Sequence, residues 1–148
     1  MILPFKIQFE RVILTNIDKL ELLSIIRGNL IQQGIVSEKI EFIDTNGLIF
    51  KNGFMTHNIF HAVEKGKFEM EYLSANLKLT YSIFTMRYNF ILFFISSAIA
   101  FWKSNFISKW YLAVLLYLLI IWVGTVIANR YFFNKVVSAL ENFHTKHI

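Results

Sequence analysis

The chain has 148 residues, 55% of them hydrophobic and 17% charged, with sixteen phenylalanines, one proline and no cysteine. Lacking cysteine, it holds no disulfide, thiolate metal centre or cysteine nucleophile, and its few prolines and glycines leave no low-complexity linker. The net charge of +5 belongs to one half: nine basic and nine acidic side chains cancel up to Thr80, and beyond it Arg87, Lys103, Lys109, Arg130, Lys135 and Lys146 face only Glu141.

The first residues, Met1 to Glu10, alternate apolar with polar and lack the apolar core of a signal peptide, so no cleavable leader is expected. Phe5, Ile7 and Phe9 between Lys6, Gln8 and Glu10 carry the period-two pattern of a half-buried strand, which should continue to Leu14. A helix follows. Asp18 and Glu21 form a capping-box-like start, Leu22, Leu23, Ile26 and Leu30 form an apolar stripe, and Gly34 supplies a left-handed stop.

Lys39 to Asp44 and Leu48 to Lys51 then flank Asn46-Gly47, a strong hairpin signal. A second hairpin is expected over Lys67 to Thr85, turning at Ser74 to Asn76, with Glu69 and Glu71 placed to face Lys78 across the strands. Residues 1–80 thus read as an α+β domain of order β-α-β-β-β-β, an antiparallel sheet with one helix. About eighty residues build such a core only marginally, so docking on a membrane or a partner would support it.

Residues 81–129 read as a two-helix transmembrane hairpin, with crossings at 81–102 and 110–128. At 1.5 Å per residue the second spans about 28 Å, close to the hydrocarbon thickness of a bilayer, whereas the uncharged run from Tyr88 to Trp102 spans only about 22 Å. The first helix must therefore start near Tyr81 and take in Arg87. Arg87, Trp102, Trp110 and Arg130 would lie at the membrane interfaces. Ser96 with Ala100 and Gly124 with Ala128 form small-residue pairs suited to close helix packing.

Five flanking basic residues against two in the loop place both termini on the cytoplasmic side, in the cell (inner) membrane. Residues 130–148 form an amphipathic tail helix striped by Phe132, Phe133, Val136, Val137, Leu140 and Phe143, able to lie in the interface, pack on the domain or bind another subunit.

Sites for chemistry are few. His57, His61 and Glu64 have the i, i+4, i+7 spacing that would gather a metal site on a helix, but the adjacent glutamate of a zincin is missing. Asp18 and Asp44 have structural roles as cap and turn residue, no phosphate loop or nucleophile elbow is present, and no catalytic residue or cofactor is expected. No basic stripe with interleaved aromatics appears, so nucleic acid is not an expected partner. The expected function is a non-catalytic integral membrane protein, an assembly or regulatory subunit of a membrane complex, whose partners are the lipid bilayer and another protein or further copies of itself. The alternatives are a homo-oligomeric channel or transport component and a membrane-bound metal-dependent enzyme.

Overall fold

The computed structural model describes residues 6–14, 18–43, 46–52, 63–73, 76–85 and 107–146, with side chains in the last segment from 116 to 145 apart from 118 and 144. The amino-terminal alternation becomes strand β1 (Lys6–Leu14). Helix α1 (Lys19–Gln32) starts at Asp18, whose carboxylate accepts the Leu20 amide at 3.2 Å and satisfies one of the four amides a helix start leaves bare. It ends where Gly34 takes φ 90° and the Ile35 amide returns to the Leu30 carbonyl at 3.1 Å, a left-handed stop with a buried apolar residue behind it.

After a single 3-10 turn come β2 (Ile40–Ile43), β3 (Gly47–Lys51), β4 (Val63–Leu73) and β5 (Asn76–Thr85). They form one antiparallel sheet of order β1-β5-β4-β3-β2. β2 to β5 run as a meander, and β1 and β2 occupy the two edges, so α1 carries the chain across the sheet between them.

Period-two alternation decides which face is covered. Leu77, Leu79, Tyr81 and Ile83 of β5, Phe68 and Met70 of β4, and Leu48 and Phe50 of β3 point to one face and join Leu22, Leu23, Ile26 and Leu30 of α1 in a single core. The other face carries the charges. Lys78 pairs with Glu10 at 3.1 Å, Lys67 with Glu69 at 2.5 Å and Lys51 with Glu41 at 2.9 Å. Glu71 does lie opposite Lys78 in the register, but the lysine turns to β1 for its ion pair, holding the Glu10 carboxyl below its ordinary pKa. Such exposed pairs each contribute only about 0–1 kcal/mol.

Two sequence expectations are overturned at the membrane hairpin. The first crossing needed Tyr81 to Thr85 as its opening turn, yet these residues complete β5, where Tyr81 pairs with both Phe9 and Phe68. The rest of that crossing lies outside the described residues. The second crossing and the tail helix are not separate elements: both belong to one 40-residue helix, α2 (Ile107–Lys146). Among the described residues no helix is long and apolar enough to cross a membrane. The expected fold of a transmembrane hairpin with a detached tail, and the integral inner-membrane location drawn from it, are therefore not supported. What stands instead is a five-stranded antiparallel sheet with two helices among the described residues.

The physical reason lies in α2's own sequence. Thr125, Asn129, Phe132, Phe133, Val136, Val137 and Leu140 recur at helical spacing and are all buried, so this half of the helix joins the sheet core. Of the three placements open to the tail, packing on the domain is the one observed.

Gly28 stands in the middle of α1, and a methyl group built on it would meet nothing within 4 Å. A helix-interior glycine is less favourable than alanine by about 0.8–1 kcal/mol. Gly28→Ala is accordingly expected to stabilise the domain by about 0.5–1 kcal/mol, read as a higher urea midpoint at unchanged m-value.

Candidate functional site

The candidate site is built on α2 and begins where the helix leaves the sheet. Tyr81, fully buried on the central strand pair, sits inside a ring of phenylalanines from four elements. Its ring stacks on Phe68 at 4.3 Å between centroids and lies 6.0 Å from Phe9, 6.4 Å from Phe50, and 6.0 and 6.1 Å from Phe132 and Phe133 of α2. Aromatic pairs at these separations contribute about 0.5–1.5 kcal/mol each beyond the area they bury.

The Tyr81 hydroxyl needs a partner in so apolar a place, and α2 provides one. It donates to Asn129 Oδ1 at 2.7 Å, while Asn129 Nδ2 donates to the Thr125 carbonyl at 2.8 Å and Thr125 Oγ1 donates to the Ile121 carbonyl at 2.8 Å. The chain of bonds fixes α2's rotation and height against β5. Burial pushes the Tyr81 pKa well above its ordinary value, so the group is a neutral donor and unsuited to act as a base or nucleophile near neutral pH. In the unfolded chain the hydroxyl ionises near pH 10. Its stabilising effect is therefore complete below pH 10 and is lost as the pH rises above it, by up to about 1.4 kcal/mol per pH unit. Urea unfolding between pH 9 and 11 should show this fall, reduced in Tyr81→Phe.

Amino-terminal to Thr125 the environment of α2 changes. Leu116, Tyr117, Leu119, Ile120, Trp122 and Val123 are all exposed, Ile120 to 68%, and at 100° per residue they span well over half the circumference of the helix, with half-buried Ile121 on the remaining side. Farther along, Ile127 and Tyr131 are exposed on the side turned from the sheet. Gly124 and Ala128, expected as helix-packing residues, share with them a groove of about 360 Å³ closed by Gln33 beyond the end of α1 and by Lys135. Gly124 itself faces open space. Arg130, expected at a membrane interface, is exposed on the same helix, and Trp110 lies in its first turns.

The other expected site residues are not brought together by the described structure. Ser96, Ala100, Arg87 and Trp102 lie outside the described residues, as do His57 and His61. Glu64 is on strand β4, not on a helix continuing from the histidines. No group of three potential metal ligands occurs among the described residues. Sequence reasoning missed the Tyr81, Asn129 and Thr125 chain, although two polar residues four apart, in phase with the stripe at Phe132 and Val136, mark it.

Compared with known protein families, characterised proteins and solved structures, the chain matches none.

Proposed function

We propose that this chain is a non-catalytic assembly or regulatory subunit of a protein complex, in which the sheet domain is the base and the apolar amino-terminal half of α2 is the element a partner protein covers. One observation carries this reading: from Leu116 to Val123 the helix has no polar residue other than Tyr117 with its hydroxyl, six of its large side chains are exposed, and none of those described is buried. A helix that is apolar all round is covered in its working state, and exposed apolar surface on this scale marks an interaction site. The partner it fits is a set of apolar helices able to surround α2, with Trp122 and Tyr117 as large anchors of the kind that dominate interface energetics. The fixed attachment through Tyr81 and Asn129 presents that surface in one orientation, which lowers the entropy lost on binding.

The test is a photo-crosslinking side chain at Ile120, with the protein isolated in mild detergent from the cell that makes it. A crosslink to one different protein, recovered at fixed stoichiometry, is the expected result. A monomer whose crosslinks reach only lipid or detergent would overturn the proposal, and crosslinks only between copies of this chain would replace it with a homo-oligomer.

A further inference from the structure

A second surface lies away from the apolar stretch of α2, between α1 and the edge strand β2. Here Leu20, Gly28 and Ile31 of α1 face Phe42 of β2 across a groove of about 440 Å³. Its walls are apolar and uncovered: Leu20 is 70% exposed and Phe42 54%. Arg27 also lines it. One of its terminal nitrogens, Nη2, donates to Ser37 Oγ, while its Nε is buried without a partner, and Arg27 pairs with no carboxylate among the described residues.

Two further observations bear on what the groove takes. β2 is the end of the sheet order and pairs only with β3 among the described residues, so Phe42 directs its amide and carbonyl outward, towards the place of a sixth strand, together with the carbonyl of Ile40, whose amide is held by the Ser37 carbonyl. Gly28 interrupts α1 with the weakest non-proline helix former at a point where no neighbour requires the space. A side chain there would project into the groove. The glycine keeps its floor low, as close approach of another backbone demands.

We propose that this groove binds an extended segment of a partner protein by strand addition to β2, with alternate apolar side chains seated between Leu20, Ile31 and Phe42 and one carboxylate meeting Arg27. Main-chain hydrogen bonds to the strand edge supply affinity, and the pockets at alternate positions supply selection. The carboxylate is specified by Arg27, whose unmatched guanidinium favours a charged acceptor over a neutral one. This inference goes beyond the assembly role of α2 and does not depend on it, because it concerns different residues.

The probe is a blocked seven-residue peptide with leucine, glutamate and leucine at positions two, four and six and threonine between them, titrated into the full chain. Binding should appear with hydrogen-exchange protection at Phe42, whose amide points away from β3, and replacing the peptide's glutamate by glutamine should weaken it by about tenfold or more. Arg27→Gln should remove that preference, so that the glutamate and glutamine peptides bind alike. Gly28→Leu should fill the groove and abolish binding while the thermal unfolding midpoint is retained or raised. Absence of binding at about 1 mM peptide, equal binding of the glutamine peptide, or unchanged binding to Gly28→Leu would each overturn the proposal. So would protection at β2 that grows with protein concentration without peptide, which would assign the edge to a second copy of the chain.

Discussion

Gly66→Ala is expected to cost about 3 kcal/mol, at the upper end of the range for overpacking a filled core. Gly66 lies directly opposite Phe50 in the β3–β4 register, and a methyl group built on it would overlap Cε1 and Cζ of the Phe50 ring and stand 3.1 Å from Cδ1. A flexible side chain would swing aside, but Phe50 is fully buried and its ring packs 6.4 Å from that of Tyr81. Moving it disturbs the centre of the core. Glycine inside a strand ordinarily weakens it, and here the phenylalanine ring covers the bare backbone in place of the missing side chain. The measurement is chemical denaturation of Gly66→Ala alone and with Phe50→Leu, whose shorter side chain vacates the overlap. The pair should recover more than about 1 kcal/mol relative to additivity. A Gly66→Ala protein within 0.5 kcal/mol of the parent would show that the ring has room and that the close approach carries no weight.

The same phenylalanines explain what was legible in the sequence and what was not. Strand β1, the Asp18 start of α1, the Gly34 stop and the Asn46-Gly47 turn are local matters, decided by period-two alternation, a capping carboxylate and turn chemistry within a few residues. The extent of β5 is not. Tyr81 and Ile83 continue its alternation, but a length argument about the apolar run beyond them reassigned these residues to a helix. The pairing of Tyr81 with Phe9, 72 positions earlier, decides the matter, and nothing within a short window reports it. The apolar run of α2 carries a different ambiguity. Its composition says that the helix is to be covered and leaves the covering unnamed, whereas the phase of Thr125, Asn129, Phe132, Val136 and Leu140 says that one helix continues through the supposed boundary at 129–130. The groove at β2 was not legible in the sequence, because it joins residues of α1 to Phe42 across a turn and a strand edge.

Severing the bond between Tyr81 and Asn129 should show whether the sheet dictates where α2 points. Tyr81→Phe leaves Asn129 Oδ1 buried without its donor, and Asn129→Leu leaves the Tyr81 hydroxyl buried without an acceptor, each at a cost of about 1–3 kcal/mol. The two together should be milder than the sum by about 1–2 kcal/mol, since the double variant leaves neither group of the broken bond unsatisfied. Asn129→Asp is the harshest of the series, about 3–5 kcal/mol, because a buried carboxylate with no cation beside it keeps the desolvation penalty. Stability alone would not separate a register device from an ordinary buried hydrogen bond. Crosslinking from Ile120 does so: in the double variant, with α2 still anchored by Phe132, Phe133 and Val136, the crosslink should spread over several partner positions if the polar pair fixes the helix's rotation. An unchanged single crosslink would mean that aromatic packing alone sets the helix, and additive single-variant costs would mean that Tyr81 and Asn129 act independently.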